Sequence, residues 1–243
     1  MSGLENSQVI KNNIDQMILP ADLLFEDNHL IAINKKPSQN VQADKTGDVS
    51  LDSIVREYIK IRYKLPGEIY QGIIHRIDRR VSGVVLFART SEALASMNQL
   101  FREGQVRKTY WAITKKIPAD ESGRLEHYLK KNEKQNKSYA YPEPVAGSKL
   151  SILTYKVIGR SDRYYLLEIE LHTGRHHQIR CQLASIGCPV RGDLKYGYPR
   201  SNEDGSISLH ARSLAFIHPV TKEPVAITAP VPADKLWKIL SSE

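Results

Sequence analysis

The chain has 243 residues, of which 41% are apolar and 26% charged, so it belongs among folded globular proteins rather than disordered or fibrous ones. This length can bury a core of its own, and the two cysteines, Cys181 and Cys188, exclude a disulfide-rich secreted scaffold. The formal net charge of +8 favours a polyanionic partner such as nucleic acid, although a moderately basic solvated surface explains it equally well.

The N-terminal segment carries no signal for export. Residues 1–20 are polar, and we expect them to form an arm outside a folded domain of residues 21–243. They lack the apolar stretch of a secretory signal peptide. Elsewhere the sequence does not approach the roughly 20 apolar residues that span a bilayer. We therefore expect a cytoplasmic protein that has no membrane partner.

Up to residue 113, short strands are predicted around two amphipathic helices. Ser50 is the expected N-cap of the first helix and Thr90 or Ser91 that of the second, because such side chains accept hydrogen bonds from the first turn. The periodicity of the apolar residues predicts strands at 23–25 and 29–34, a helix at 51–63, strands at 69–74 and 83–88, a helix at 92–103 and a strand at 106–113.

The second half begins with the most polar part of the chain. Residues 115–149 are rich in lysine, and we expect them to form surface hairpins or loops. Beyond them the pattern predicts an antiparallel pair of strands at 152–158 and 164–171, a helix at about 176–186, strands at 208–216 and 225–228, and a closing helix at 233–240. Strands and helices mixed without a β-α-β alternation predict an α+β fold with an antiparallel or mixed sheet.

Residues 74–86 place a charged turn between two apolar strands. The turn carries His75, Arg76, Asp78 and two further arginines. Loops held by buried strands are where catalytic groups are commonly placed, and neighbouring guanidinium groups favour the charged form of a carboxylate. Such a carboxylate can act as a nucleophile or as a base. Local composition alone favours the plainer interpretation, in which Asp78 only shapes the turn.

Residues 171–180 pass from a strand through a glycine turn into a helix. A helix N-terminus presents backbone donors that suit a phosphate or a carboxylate. Arg175 and Arg180 add positive charge that could pair with an anion such as Asp78. The alternative is a tight strand-to-helix turn with surface histidines.

Together the two segments resemble the signature of the RluA-like pseudouridine synthases. Members of that family carry a His-Arg-Leu-Asp-x-x-Thr-Ser-Gly motif and a later Thr-Gly-Arg-x-His-Gln-Ile-Arg motif. The resemblance covers about residues 22–232, and motifs in the same order along this length make it specific. Further segments that resemble the family are residues 24–27, 34–37, 108–112, 192–197, 209–211 and 218–219.

The resemblance implies both a fold and a reaction. The fold is a central, mostly antiparallel mixed sheet flanked by helices, with the active-site cleft across the sheet. The reaction is the isomerisation of uridine to pseudouridine in RNA, without a cofactor or a metal ion. The motifs place the family's catalytic carboxylate at Asp78, its basic partner at Arg180 and the tyrosine that stacks on the target base at Tyr110.

The same motifs imply further contacts with the substrate. Ile179 matches the apolar lining of the base pocket, and Arg76 matches an arginine that contacts RNA near the flipped nucleotide. We expect the other motif residues His75, Arg175 and His177 to contact the substrate as well. Val81 departs from the family pattern, because it replaces the usual Thr and removes a hydroxyl near Asp78.

The resemblance also bears on partners. Many members carry an N-terminal S4-type RNA-binding module, but the catalytic pattern here begins near Ala21, which leaves no room for one. We therefore expect a monomer whose catalytic domain binds rRNA or tRNA, aided by the lysine-rich residues 115–149.

Three other functions compete with this one. A zinc site would use ligands such as the clustered His172, His176, His177 and Cys181. No carboxylate lies close to that cluster in sequence, and the family motifs account for its histidines without a metal. A serine hydrolase built on Ser82 lacks the Gly-x-Ser-x-Gly elbow. The third alternative is a catalytically silent RNA-binding protein of the same fold.

Overall fold

The computed structural model describes residues 22–44 and 47–242, and the arm predicted at residues 1–20 lies outside them. The strands are β1 (Leu23–Glu26), β2 (Leu30–Lys35), β3 (Gly72–Ile73), β4 (Ser82–Ala88), β5 (Arg107–Thr114), β6 (Ser122–Asn132), β7 (Lys137–Tyr141), β8 (Lys149–Arg160), β9 (Tyr165–Leu171), β10 (Leu209–Ile217) and β11 (Pro224–Thr228). The helices are α1 (Leu51–Arg62), α2 (Ser91–Arg102), α3 (Gln178–Ser185) and α4 (Lys235–Ser241), with a 3-10 turn at Leu194–Tyr196.

All eleven strands join one sheet. Its main path runs β1-β2-β4-β10-β5-β9-β8-β6-β7, while β11 pairs with β10 and β3 with β4. Within the described ranges, β4 and β10 form the one parallel pair. The predicted α+β class with a mostly antiparallel mixed sheet is thereby confirmed.

Helices cover both faces of the sheet, because successive side chains of a strand point to opposite faces. On one face, α1 and α3 bury their apolar stripes against Ile33, Val85 and Ile169. On the other face, α2 packs on Leu86 of β4, and α4 packs on Ile113 of β5. No helix of the described segments is both long and apolar enough to cross a membrane.

Most predicted elements are present, with differences at their ends. The strand predicted at 69–74 shrinks to Gly72–Ile73, because β4 has only two edges: β2 fills one, and β10 already occupies part of the other. Thr90 caps α2 by accepting a hydrogen bond from the Ala93 amide at 3.2 Å. Ser50 precedes α1 as predicted, but its side chain bonds Asp52 instead of capping the helix.

In two regions of the second half, the structure refines the elements predicted from the sequence. The polar segment 115–149 contains a regular hairpin of β6 and β7 at the edge of the sheet. The helix predicted at 176–186 begins only at Gln178, because His177 adopts a left-handed conformation with φ of 53° that helical residues cannot share.

Gly83 sits where β4 approaches β10 most closely. Its φ of +111° disfavours any other residue, and an added Cβ would overlap the Ala211 carbonyl. Gly83→Ala should therefore lower the free energy of unfolding by at least about 3 kcal/mol, as measured by urea denaturation. Gly104→Ala is the matched control, since Gly104 also has a positive φ but open space around it. It should cost about 1 kcal/mol, and equal losses would contradict the close approach.

Candidate active site

Strand pairing brings the two sequence motifs together. Gly83 of β4 lies opposite Ala211 of β10, which lies opposite Tyr110 of β5. The turn that carries Asp78 leads directly into β4 and therefore reaches the level of Tyr110. Helix α3 packs over this point and directs Arg180 towards the turn.

Arg180 joins two carboxylates that lie far apart in the sequence. Its Nη1 donates a hydrogen bond to Asp78 Oδ2 at 2.8 Å. Its Nε and Nη2 donate to Asp193 Oδ2 and Oδ1 at 2.6 and 2.8 Å, the bidentate geometry that a guanidinium offers a carboxylate. The side chains of Arg180 and Asp193 are 6% and 1% exposed, whereas that of Asp78 is 31% exposed. Asp193 is thus the buried anchor, and Asp78 presents its carboxylate to solvent.

Arg180 remains protonated in this environment. Burial disfavours the protonated guanidinium, but the hydrogen bonds and charges of Asp193, and then of Asp78, outweigh burial and raise the pKa of Arg180. The ring of Tyr196 also lies 5.1 Å from the guanidinium carbon and adds a favourable cation–π contact.

His177 is a second neighbour of Asp78. Its Nε2 lies 3.5 Å from Asp78 Oδ2, and its Nδ1 lies 3.0 Å from the Tyr196 hydroxyl. Burial, helped by the charge of Arg180 and opposed by that of Asp78, lowers the pKa of His177 to about 3. The imidazole is therefore neutral. The Tyr196 oxygen accepts a bond from the Ser138 amide and can donate its own hydrogen to Nδ1, an arrangement that favours the tautomer with the imidazole proton on Nε2, towards Asp78.

Half of the residues that line the pocket around Asp78 are apolar or aromatic; besides Asp78, the others are Arg76, Arg175, His177, Gln178 and Arg180. Tyr110 and Ile179 line it. Burial, together with the charge of Asp78, raises the pKa of Tyr110, so its hydroxyl stays protonated. Val81 is only 2% exposed, and its side chain forms part of the pocket wall where a threonine would place a hydroxyl. The remaining apolar residues of the pocket are Ile77, Leu171 and Leu209.

Four of the predicted substrate-binding residues, His75, Arg76, Arg175 and His177, line an outer groove that continues from this pocket. Arg76 is exposed and donates to Gln42 Oε1 at 3.1 Å, and Arg175 donates to the Leu150 carbonyl at 3.3 Å. His75 Nε2 accepts a bond from the Leu86 amide at 3.1 Å, so this ring also braces β4. Burial, and then the charge of Lys108, lowers the pKa of His75 to about 4.

The candidate zinc ligands form hydrogen bonds with other groups. His176 Nδ1 lies 2.9 Å from Ser138 Oγ, and Cys181 Sγ donates to the Ser138 carbonyl at 3.2 Å. His172 Nε2 lies 3.2 Å from Thr154 Oγ1. In the part of the chain that the structure describes, no three His, Cys, Asp or Glu side chains are grouped to hold a metal ion.

Sequence reasoning did not single out two residues that shape the site. Asp193 anchors Arg180, and Lys35 is fully buried with its Nζ donating to the carbonyls of Lys36, Gln39 and Arg79 at 2.9, 2.9 and 3.1 Å. Lys35 thereby ties the end of β2 to the turn of Asp78. Burial, opposed by the charge of Asp78, lowers the pKa of Lys35 to about 7. Both residues lie in segments that carried the family resemblance, which was the available signal.

The chain is similar to known proteins over most of its length. A family model described as RNA pseudouridylate synthase matches residues 29–185. The ribosomal large subunit pseudouridine synthase C of Rickettsia prowazekii is 31% identical over 224 residues, which cover 88% of this chain and 69% of that protein. The tRNA pseudouridine synthase C of Vibrio cholerae is 30% identical over 244 residues, covering 91% and 95%.

A solved structure shares the fold. The human protein RNA Pseudouridylate Synthase Domain Containing 4 superimposes with a TM-score of 0.74 over 95% of this chain and 94% of that one, at 22% sequence identity. The fold implied by the sequence resemblance is thereby confirmed.

Replacing Arg180 tests its place between the carboxylates. Arg180→Met should lower the free energy of unfolding by about 3–5 kcal/mol, because it leaves the buried Asp193 charge without a partner. Urea denaturation measures the loss. Arg107→Met is the matched control, since Arg107 pairs with Glu170 in the open at 3.1 Å, and it should cost less than about 1 kcal/mol. Similar losses in both variants would refute the anchoring role.

The neutral state of His177 predicts a dependence of stability on pH. Because its pKa is lowered to about 3 in the folded state, the unfolded chain takes up the proton first, near pH 6.5. Stability should therefore fall as pH drops from 6.5 towards 3. His177→Asn should remove up to about 1.4 kcal/mol per pH unit of this slope.

The measurement is urea denaturation of both proteins between pH 4 and pH 8. The cost of the substitution at neutral pH serves as the baseline, since His177 is uncharged there in either state. An unchanged slope below about pH 6 would contradict the burial of a neutral imidazole.

Proposed function

The chain belongs to the RNA pseudouridylate synthase family, and on this premise we propose that Asp78 is the carboxylate that starts the isomerisation of uridine. The observation that carries the proposal is the bond from Arg180 to Asp78, which holds a part-exposed carboxylate in the wall of a pocket that also contains Tyr110 and Ile179. We propose that residues 21–243 form the catalytic domain of this isomerase.

The pocket suits a base taken out of its stack. Extruding a nucleotide costs a few kcal/mol, which an enzyme offsets by holding the base in a close-fitting apolar slot. Tyr110 would supply the stacking face, and Ile179 and Val81 the opposing walls. The sugar then lies at the pocket mouth, where Asp78 and Arg76 can reach it.

The chemistry needs a fixed carboxylate and room for the base to turn. Asp78 either attacks the nucleotide or removes the 2′ proton to give a glycal, and in both routes the C1′–N1 bond breaks. The released uracil rotates between Tyr110 and Ile179, and C5 bonds to C1′ as the bond to Asp78 breaks or, in the glycal route, as Asp78 returns the proton to C2′. The C5 proton then leaves. Arg180 would keep Asp78 aimed, while His177 Nε2 lies 3.5 Å from the same carboxylate oxygen.

We propose rRNA or tRNA as the substrate and the cytoplasm as the compartment. The two relatives described above are named for the ribosomal large subunit and for tRNA, respectively. The net charge of +8 suits either polyanion. We propose that the protein acts as a monomer. The carboxylate carries the proposed reaction, and the proposal requires no metal ion or cofactor.

Release of tritium from RNA labelled at uridine C5 tests the role of Asp78. The label leaves as C5 bonds to C1′, so wild-type protein should release it from rRNA or tRNA transcripts. Asp78→Asn keeps the shape but removes the reactive carboxylate, and release should fall by at least about 1,000-fold.

Asp44→Asn is the matched control, because Asp44 lines the outer groove but not the inner pocket. Its rate should stay within about tenfold of wild type. Equal release from wild type and Asp78→Asn would disprove the assignment of Asp78. Binding of the transcripts without release from any of them would instead favour a catalytically silent RNA-binding protein.

A further inference from the structure

Lys108 is an unusual cation beside the pocket. It lies on β5 and is only 9% exposed. Its ammonium group lies 6.0 Å from the centre of the Phe101 ring. Within residues 22–44 and 47–242, its ammonium group makes no hydrogen bond or ion pair, whereas that of the fully buried Lys35 donates to three carbonyls.

The side chain of Lys108 is largely withdrawn from solvent, while it lines two open grooves. A partly desolvated charge favours an anionic partner, and the described residues supply no ion pair for it. Burial lowers the pKa of Lys108, and the nearby charge of Arg175 lowers it further. Lys108 and Arg175 thus place two positive charges close together without an ion pair that would explain Lys108 structurally. Such an arrangement is typical of a binding site for an anion.

The surroundings of Lys108 are also basic. It lines a groove beside the C-terminal end of α2, together with Arg102 and Arg175. None of the described residues that line this groove is acidic; the others are Asn98, Phe101, Gly104, His172, Thr173 and Gly174. Lys108 and Arg175 also line the outer groove that contains Asp78, so the two grooves are continuous.

The position of Lys108 relative to the base pocket suggests which anion binds. Lys108 and Tyr110 alternate along β5 with Thr109 and therefore project to the same side, about 7 Å apart. With a uridine on Tyr110, the nearest anions of the RNA are the phosphates next to that nucleotide. A compact ammonium group suits a phosphate oxygen as a point charge.

We propose that Lys108, flanked by Arg102 and Arg175, binds a backbone phosphate of RNA adjacent to the target uridine. The inference rests on the proposed function and deepens it. A phosphate contact sets the position of the strand without reading its sequence. Lys108 would thus fix the register of the substrate, while the pocket selects the base.

The test compares binding of a fluorescent oligouridylate of about eight nucleotides to Lys108→Met and Lys108→Arg across a salt series. The Asp78→Asn background leaves the probe unmodified. Lys108→Met should weaken binding about tenfold and reduce the slope of log K against log salt by about 0.7, the value for one phosphate of a single strand. Lys108→Arg should restore most of the slope.

Lys238→Met is the matched control. Lys238 is exposed on α4, which packs against Ile113 and therefore lies on the opposite side of β5 from Tyr110. This variant loses the same charge and should keep the wild-type slope. A slope for Lys108→Met equal to that of the control would overturn the proposed phosphate site.

Stability separates binding from a structural role. Lys108→Met removes an unpartnered charge, so its thermal unfolding midpoint should be equal to or above that of wild type. A markedly lower midpoint would assign Lys108 to the scaffold and refute the inference.

Turnover distinguishes failure of this inference from failure of the proposed function. With tritiated RNA, Lys108→Met should raise KM about tenfold and change kcat much less. If wild type releases tritium and Lys108→Met has an unchanged KM and salt slope, the phosphate site is wrong while the enzyme assignment stands. If wild type never releases tritium but the slope still falls, the phosphate site stands and the reaction is wrong.

Discussion

One guanidinium group shared between two carboxylates underlies the organisation of the site. Asp193 is buried and holds Arg180 with two hydrogen bonds, so the third bond, to Asp78, has a fixed direction. A single ion pair at the surface would be weak and mobile. Because the buried Asp193 fixes Arg180, the pair of Arg180 with Asp78 becomes part of a rigid framework. The neutral His177 and the ring of Tyr196 complete this framework without adding a charge that would compete for Asp78.

The sheet explains why these groups meet. The parallel pairing of β4 with β10 places the charged turn next to β5, and helix α3 crosses the same face. Lys35 ties the turn to the end of β2 from behind. The Asp78 turn is therefore supported from several directions at once. Such support suits a reaction in which a base must turn within a pocket whose reactive carboxylate stays in place.

Much of the fold and of the candidate site could be predicted from the sequence, and the features that could not be predicted have physical explanations. Apolar periodicity located the helices and most strands, since each element buries one side. It overestimated β3, whose length depends on which edges of β4 are free. The partners of Asp78 came from family motifs, because local composition favoured a structural role. The sequence did not reveal the roles of Asp193 and Lys108. Asp193 matters because it binds Arg180 in the folded protein, and Lys108 matters because the fold leaves its ammonium group without an ion pair.

The meeting of β4 with β10 also has a consequence for synthesis of the chain. Ser82 and His210, which bond at 2.8 Å across this seam, are 128 residues apart. Contacts between such distant segments form late, because a long loop must close first. On the ribosome, β10 emerges after β1 to β9. A nascent chain would therefore expose an unfinished sheet edge until β10 is available, and the pocket would form only after that point.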